Sequence, residues 1–173
     1  MQNFQPIYDS YEVIPGRFRA GEYPSSINDS EAYAKARWLL DRGYNYFIDL
    51  TEAGEYNLRN YASILKTEAE NYQSDIIHNR IPIIDMNIPS REWMLQILDT
   101  IDVALENGHN IYLHCYGGIG RTGTVVGCYL VRQGMSGQEA LSRIAELRRD
   151  IPDGWKESPE TEEQRKMIFN WKG

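Results

Sequence analysis

The chain has 173 residues, the usual size of a single folded domain. With 42% hydrophobic and 25% charged residues it has enough material for one core, which excludes a disordered or collagen-like protein. Eighteen basic against 25 acidic residues give a net charge of −7, which weighs against nucleic acid or an anionic membrane as a partner.

The sequence also lacks signals for membrane insertion or secretion. No apolar stretch approaches the ~20 residues that span a bilayer. The start, MQNFQPIYDSYEV, has neither the basic nor the apolar region of a secretion signal. Two cysteines, Cys115 and Cys128, are too few for a disulfide framework. We therefore expect a cytoplasmic protein.

The first half of the chain alternates short apolar segments with helical ones. Ser30 precedes a run with helical spacing of alanine and leucine, and Gly43 is a natural helix stop. Pro82 argues for an edge or strand-end position of the run around it. The predicted elements are strands at 11–14 and 17–20, a helix from Ser30 to Gly43, a strand at 46–50, a helix at about 58–72 and a strand-like run at 76–84.

The second half continues this alternation. Ser136 and Glu139 form a capping box, the pattern that opens a helix. The predicted elements are a helix at 91–107 capped by Ser90, a strand at 110–115, a helix at about 121–133, a helix from the capping box to about 149, and a last helix from Ser158-Pro159 to about 171. Such alternation indicates an α/β domain with a mainly parallel central sheet, whose strand order stays open.

The most informative segment is the glycine-rich turn between Cys115 and Arg121, where residues 114–122 read HCYGGIGRT. Glycines let successive backbone N–H groups point inward, and the following helix N-terminus adds its positive dipole end. The turn therefore predicts a cradle for a tetrahedral oxyanion, closed by the planar fork of Arg121. Cys115 lies at its base, where these donors favour the thiolate. An anion site thus coincides with a nucleophile, which indicates attack on phosphorus.

Each part of this segment has a simpler interpretation when taken alone. A lone cysteine at a strand end is commonly a small buried hydrophobe. Glycine-rich strand-to-helix turns also occur in many nucleotide-binding folds without a catalytic cysteine. The joint pattern His-Cys-x-x-Gly-x-x-Arg-Thr is far rarer than either part, and it favours the catalytic interpretation.

HCYGGIGRT resembles the signature of the cysteine-based protein tyrosine phosphatase superfamily, HCxxGxxR followed by Ser or Thr. The chain looks like the dual-specificity branch, near its kinase-associated and CDC14-like members. Residues 18–24 resemble the early GxxP segment of the family, 46–52 the strand before a substrate-side loop, and 158–164 the late QTxxQ segment. The resemblance covers about residues 15–170 and implies that residues 1–173 form a single phosphatase domain.

The resemblance assigns a general acid. Family members carry on a loop an aspartic acid that protonates the leaving oxygen, because an unprotonated alkoxide or phenolate leaves slowly at neutral pH. The matching position is Asp85, in the segment IDMNIPS about thirty residues before Cys115. The alternative is a solvated loop aspartate. The Trp-Pro of classical tyrosine phosphatases is replaced by Pro82-Ile-Ile, which favours the dual-specificity branch and leaves loop closure open.

Further roles follow from the same resemblance. Thr122 is expected to donate its hydroxyl to the cysteine sulfur, or alternatively to bond a backbone carbonyl in the first helical turn. His114 orients the loop and tunes the thiolate, which agrees with its being a buried core histidine. Gln164 resembles the glutamine that positions water, with a plain surface glutamine as the alternative. Cys128 is expected to pack in the core.

The implied mechanism is two-step covalent catalysis. Cys115 attacks the phosphate while Asp85 protonates the leaving group, and water then hydrolyses the intermediate with Asp85 as base. No metal or other cofactor is expected, because the three histidines and two cysteines do not form a spaced ligand set. The phosphate oxygens are held by Arg121 and by the backbone amides of Tyr116, Gly117, Gly118, Ile119 and Gly120.

A phosphoprotein is the expected partner and substrate. Residues 116–120 contain no lysine or arginine, whereas relatives that act on phosphoinositides or inositol phosphates have basic residues there. We therefore expect hydrolysis of phosphotyrosine, and also of phosphoserine or phosphothreonine, with no recruitment domain. The loop from Thr51 to Asn57 is expected to line the pocket, with Tyr56 stacking on a phenyl ring.

Three alternatives stay open. The first is a phosphoinositide or inositol phosphate phosphatase, since one loop without basic residues is only suggestive. The second is an inactive relative that binds phosphoproteins, against which the joint presence of Cys115, Asp85 and Arg121 argues. The third is a thiol reductase or sulfurtransferase, for which Cys128 is poorly placed as a second thiol.

Overall fold

The computed structural model describes residues 6–173. Residues 1–5 lie outside the described residues. They belong to the segment in which no secretion signal is predicted. Among residues 6–173, no helix is long and apolar enough to cross a membrane. The part that is described forms a five-stranded sheet with six α-helices packed on its faces.

The sheet places the carboxyl ends of its central strands at one edge. Strand order is β1-β2-β5-β3-β4, in which only the β1–β2 pair is antiparallel, so the prediction of a mainly parallel sheet is confirmed. The last residue of β5, His114, pairs with Gly21 on one side and Asp49 on the other. The strands are β1 (Ser10–Ile14), β2 (Phe18–Gly21), β3 (Tyr46–Asp49), β4 (Ile77–Arg80) and β5 (Ile111–His114).

Helices cover both faces of the sheet, because successive strand residues point to opposite sides. Ile111 and Leu113 of β5 pack in a core with α3, α4, α5 and α6, whereas Tyr112 packs in a second core with α1 and α2. The helices are α1 (Asp29–Asp41), α2 (Ala62–Tyr72), α3 (Arg91–Glu106), α4 (Gly120–Arg132), α5 (Gly137–Leu147) and α6 (Glu162–Phe169).

Two predicted helix starts are wrong. The cap of α1 is Asn28, whose side chain accepts a hydrogen bond from the amide of Glu31, and the Ser30 hydroxyl donates to Asn28 instead of capping. The last helix begins at Glu162 after a Thr161 cap, because the Ser158 hydroxyl donates to the carbonyl of Ile119 and holds Ser158-Pro159 against another loop.

The other predicted elements are present with shifted ends. The helix predicted at 58–72 begins at Ala62, and the strand-like run at 76–84 is reduced to β4. That strand lies at the sheet edge and ends before Pro82, as this proline requires. The capping box of Ser136 and Glu139 forms as predicted and opens α5.

Candidate active site

The site lies where β5 ends and α4 begins, at the carboxyl edge of the sheet. The connecting residues 115–119 are held close to the end of β2 by a hydrogen bond from the Tyr23 amide to the Tyr116 carbonyl, at 2.9 Å. Gly118 has φ +73°, and a Cβ there would lie 2.4 Å from the carbonyl carbon of Gly21. Only glycine therefore fits this position, and its packing against β2 fixes the curl of the loop.

Cys115 lies at the bottom of a cleft of about 360 Å³. The residue is only 3% exposed, and its Sγ accepts a hydrogen bond from the Gly118 amide at 3.3 Å. The cleft is lined by Tyr56, Asp85, Met86, Cys115, Tyr116, Gly117, Ile119, Gly120, Arg121, Asp153, Lys156 and Glu160. The predicted nucleophile, acid and arginine thus share one cleft.

The N-terminus of α4 faces this cleft without a capping side chain. Its N-cap residue, Ile119, makes no side-chain hydrogen bond, whereas α1, α3, α5 and α6 are each capped by a polar side chain. The first amides of a helix have no partner inside the helix, and here no capping oxygen is supplied. These donors and the helix dipole make the cleft suited to an anion.

Arg121 is buried, with 1% exposure, and is held mainly by Glu55. Nη1 donates to Glu55 Oε2 at 2.7 Å and Nη2 to Oε1 at 2.6 Å, which makes a bidentate pair. Nη1 also donates to the Ile83 carbonyl at 3.1 Å. Burial works to lower the pKa of Arg121, but hydrogen bonding to Glu55 and the charges of Cys115, Glu55 and Asp85 together raise that pKa on balance. Among the described residues, its buried Nε has no hydrogen-bond partner.

Asp85 reaches the same arginine from the loop after β4. Its Oδ1 lies 3.0 Å from Nη2 of Arg121, and its Oδ2 accepts a hydrogen bond from the Tyr56 hydroxyl at 2.6 Å. The Asp85 side chain is 33% exposed at the mouth of the cleft. It is therefore partnered on both oxygens and is not the free loop aspartate that was the alternative interpretation.

His114 lies behind Cys115 and is fully buried. Its Nδ1 is 3.1 Å from the Cys115 carbonyl, which accepts hydrogen bonds only, so Nδ1 carries the proton. Nε2 then accepts a hydrogen bond from the Tyr61 hydroxyl. Burial lowers the pKa of His114 to about 4. The neutral ring thus connects the loop backbone to α2, the arrangement expected of a residue that orients the loop.

Two further predicted site residues are buried close to this loop. Thr122 Oγ1 is inaccessible and makes no hydrogen bond within residues 6–173, so neither the sulfur nor a backbone carbonyl is its partner. Gln164 is fully buried, which excludes the surface alternative. Its Oε1 accepts from the amides of Glu160 and Thr161, and its Nε2 donates to the carbonyl of Asn87 on the Asp85 loop.

The structure adds a buried ionic network that the sequence analysis missed. Asp49, at the end of β3, is inaccessible and accepts from Arg80 Nη2 at 2.9 Å and from the Thr51 hydroxyl at 2.6 Å. Burial alone raises the pKa of Asp49, but His78, whose Nε2 lies 3.4 Å from Oδ2, the proximity of His114 and the hydrogen bonds from Thr51 produce a net lowering. The sequence signal for this network is Asp49, a charged residue at the end of a buried strand.

Cys128 lies in α4 with no exposure, as predicted for a core residue, and burial raises the pKa of its thiol. Both cysteines are free. Within residues 6–173, no cluster of three or more His, Cys, Asp or Glu side chains is arranged to hold a metal ion.

A known protein family matches most of this chain. The family Tc-R-P, described as "Polymorphic toxin system, DSP-PTPase phosphatase", matches residues 22–135, which is more than half of the chain. Cyclin-dependent kinase inhibitor 3 from Sus scrofa is 32% identical over 79 residues, which is 44% of this chain and 37% of that protein. The chain spans well under half the length of several such curated relatives.

Solved structures of similar fold cover nearly the whole chain. Tk-PTP in its active form is 28% identical with a TM-score of 0.65, covering 92% of this chain and 93% of that one. Kinase associated phosphatase, with its catalytic-site cysteine replaced by serine, is 20% identical with a TM-score of 0.74, covering 95% and 93%. PTPMT1 in complex with PI(5)P is 20% identical with a TM-score of 0.69, covering 92% of each.

These matches agree with the resemblance found in HCYGGIGRT and with the geometry around Cys115. The family match includes β3, the Asp85 loop, the Cys115 loop and all of α4. The chain belongs to the DSP-PTPase family, in the dual-specificity branch of the cysteine-based protein tyrosine phosphatases.

Proposed function

We propose that this chain is a phosphatase that hydrolyses phosphoprotein monoesters through a cysteinyl-phosphate intermediate, with residues 1–173 as one catalytic domain. One observation carries the proposal: a nearly inaccessible cysteine and a buried arginine lie beside the uncapped N-terminus of α4. A thiol, a bidentate cation and a helix N-terminus without a capping side chain around one small cleft suit attack on a bound phosphate.

In the first step, the Cys115 sulfur attacks phosphorus in line with the leaving oxygen. The Gly118 amide donates to Sγ and the Arg121 guanidinium lies in the same cleft, so the attacking sulfur has a donor and a cation beside it. The S–P bond forms as the bond to the leaving oxygen breaks. Asp85, at the mouth of the cleft, gives its proton to that oxygen, so the product departs as an alcohol or phenol.

In the second step, water attacks the cysteinyl phosphate. Asp85, now ionised, takes a proton from the water, the S–P bond breaks, and inorganic phosphate and the thiolate are released. The free hydroxyl of Thr122 is the proposed donor to the departing sulfur. Gln164 is the proposed support of the Asp85 loop through the Asn87 carbonyl, since both ends of its amide are already bonded.

Negative charge on the equatorial phosphate oxygens is stabilised by fixed donors. We propose that the unpartnered Nε–H of Arg121 supplies one of them. The remaining donors are the proposed phosphate-binding amides of the loop, Tyr116, Gly117, Gly118, Ile119 and Gly120. His114 keeps that loop in place, because it bonds the Cys115 carbonyl on one side and Tyr61 on the other.

Charge at the cleft favours a substrate with a single phosphate. The lining contains the carboxylates of Asp85, Asp153 and Glu160, and its cations in the described part of the chain are Arg121 and Lys156. Lys156 is itself paired with Asp153 at 2.7 Å. Additional phosphates would meet carboxylates, so we favour phosphotyrosine proteins over phosphoinositides. PTPMT1 in complex with PI(5)P is the similarity that keeps a phosphoinositide as the second candidate.

Hydrolysis of p-nitrophenyl phosphate, with chelator and reductant present, tests the activity. We expect turnover by the wild type, loss of about 10⁴-fold or more in Cys115→Ser, and a loss of about 100-fold in Asp85→Asn. Cys128→Ala and Asp75→Asn are matched controls away from the cleft and should stay within about twofold. Turnover that survives Cys115→Ser, or an inert wild type that binds phosphopeptides, would overturn the proposal.

Substrate class is tested with three substrates at equal phosphate concentration. We expect a phosphotyrosine peptide to have the highest kcat/KM, a phosphothreonine peptide a lower one, and phosphatidylinositol 5-phosphate in vesicles the lowest. A preference for the vesicles would replace the phosphoprotein assignment with the phosphoinositide one. Either ranking leaves the cysteine mechanism in place.

A further inference from the structure

We propose that two adjacent residues, Glu55 and Tyr56, are positioning residues for the two catalytic side chains, Glu55 for Arg121 and Tyr56 for Asp85. The inference rests on the proposed function and adds residues that the signature motif does not contain. Both side chains come from one short turn, Glu55–Asn57, in the connection between β3 and α2.

The turn has an unfavourable backbone conformation that its contacts explain. Tyr56 and Asn57 have φ of 49° and 53°, in the left-handed region that residues other than glycine rarely adopt. Gly54 just before them has φ 77°. The Glu55 side chain is 7% exposed although it belongs to a surface loop, and Tyr56 is 64% exposed. The turn thus directs one side chain inward to Arg121 and the next along the mouth to Asp85.

Glu55 fixes which edge of Arg121 faces the cleft. A guanidinium is a rigid plane with five N–H groups, so holding one edge orients the others. Glu55 accepts from Nη1 and Nη2, which leaves Nε and the second Nη2 hydrogen on the other edge. That Nε has no partner among residues 6–173, and Nη2 lies 3.0 Å from Asp85 Oδ1 in an ion pair. This edge is therefore the one that a phosphate meets.

Glu55 is itself held in place by a second hydrogen bond, so it does not block the phosphate site in this arrangement. Its Oε2 accepts from the backbone amide of Glu52 at 3.0 Å, in addition to its bond with Arg121. A carboxylate held by backbone and guanidinium together is costly to remove from a buried position. We infer that it stays when phosphate binds.

Tyr56 acts on Asp85 when phosphate replaces that carboxylate on Arg121. A dianion at the Nε and Nη2 edge competes with Asp85, because it takes the place beside Nη2 that the Asp85 carboxylate occupies at 3.0 Å. The Tyr56 hydroxyl then remains as the hydrogen bond that keeps Asp85 at the mouth of the cleft. In this sequence of contacts, substrate binding frees Asp85 from the guanidinium without releasing it to solvent.

The Glu55 part is tested by binding of inorganic phosphate, measured by calorimetry and independent of turnover. Glu55→Gln keeps the shape but loses the charge, and we expect phosphate to bind about 10-fold more weakly, with a matching rise in KM for p-nitrophenyl phosphate. Glu52→Gln removes a charge from the same loop at an exposed side chain and should stay within about twofold. Tighter phosphate binding by Glu55→Gln would show that Glu55 competes with phosphate for Arg121. Unchanged binding would show that Glu55 has only a structural role. Either result overturns the proposal.

The Tyr56 part is tested by the leaving group. We expect Tyr56→Phe to lower kcat/KM about 10-fold for phenyl phosphate, whose poor leaving group needs the proton, and much less for p-nitrophenyl phosphate. Phosphate binding should stay within about twofold. Tyr72→Phe removes a similar tyrosine–aspartate hydrogen bond, to Asp41 at 2.7 Å, and serves as the matched control. Equal losses for both esters would contradict a role through Asp85.

Failure of this inference is distinguishable from failure of the proposed function. If the wild type hydrolyses both esters and the Glu55 and Tyr56 variants behave like their controls, only the positioning role falls. If the wild type neither binds phosphate nor turns over, the function itself falls. Should Glu55→Gln unfold at a lower temperature than the wild type, Glu55→Asp, which keeps the charge on a shorter side chain, should recover part of the phosphate affinity.

Discussion

The two loops that build this site differ in how they are held. The Cys115 loop, residues 115–119, is pressed against β2, so that Gly118 has no room for a Cβ. The β3–α2 loop turns at residues 54–57 and has open space at Gly54, where a Cβ would meet nothing within 4 Å. Its contact with the site runs through the side chains of Glu55 and Tyr56.

This difference separates two ways of positioning chemistry. The Cys115 loop positions backbone amides, so its shape depends on packing and on glycine. The β3–α2 loop positions side chains of other elements, so its effect depends on a carboxylate and a hydroxyl. Substitutions that add volume should therefore damage the first loop, and substitutions that remove a charge or a hydroxyl should damage the second.

Among the substitutions that test this comparison, the largest effect on activity is expected where the two loops meet, at Arg121. Arg121→Lys keeps the positive charge but loses the fork that Glu55 holds on one edge and that phosphate needs on the other. We expect kcat/KM for p-nitrophenyl phosphate to fall about 10³-fold. Arg132→Lys, in a surface ion pair at the other end of α4, is the control and should stay within about twofold. Comparable activity of both lysine variants would refute the need for a fork.

The largest effect on stability is expected from Gly118→Ala. The new methyl would lie 2.4 Å from the Gly21 carbonyl carbon and 2.6 Å from its oxygen, both backbone atoms that cannot turn aside. We expect a loss of about 3 kcal/mol or more in the free energy of unfolding, measured with urea, and loss of phosphate binding. A variant with wild-type stability would show that the loop is not fixed by β2.

A smaller effect is expected from pH through His114. Burial lowers the pKa of His114 to about 4, from 6.5 in the unfolded chain, so its contribution is complete above pH 6.5 and is lost as pH falls toward 4. As the pH falls from 7 to 5, we expect protonation of His114 in the unfolded chain to lower the free energy of unfolding by about 2 kcal/mol. Urea denaturation at both pH values measures this change in unfolding free energy. The change should be smaller in His114→Asn and the same as in the wild type in His109→Asn. Equal changes in all three proteins would contradict the assignment.

The smallest effect is expected from Gly54→Ala, the counterpart of Gly118→Ala. Gly54 has φ +77° but open space around it, so alanine there meets only the backbone strain of about 1 kcal/mol. Urea denaturation should show a loss of that size. The ratio of the losses of unfolding free energy in Gly118→Ala and Gly54→Ala measures directly how differently the two loops are held. Equal losses would show that the loops do not differ in this way.

Much of the fold and of the site was predictable from sequence because its signals are local. HCYGGIGRT gives the cysteine, the glycines and the arginine in one run, and Ser136 with Glu139 gives a helix start. The start of α1 was misplaced because Asn28 and Ser30 are equally good capping residues, and the local pattern does not rank them.

The parts that sequence analysis missed depend on distant contacts. Glu55 meets Arg121 across 66 positions of sequence, and Tyr56 meets Asp85 across 29. No neighbouring residue in the sequence distinguishes Glu55 from an exposed loop carboxylate. The left-handed backbone of Tyr56 was not predictable either, because that position is not a glycine. Gln164 was assigned from a motif, and its capping box with Thr161 is a local pattern, but its bond to the Asn87 carbonyl required the packing of α6.

Direct detection of phosphate on Cys115 tests the central claim. The wild type is mixed rapidly with p-nitrophenyl phosphate, quenched in acid within milliseconds to seconds, digested and analysed by mass spectrometry. The account predicts one phosphoryl group on the peptide that contains Cys115, which forms before steady state and disappears when substrate is exhausted. Turnover without that adduct, or a phosphoryl group on a different residue, would contradict it.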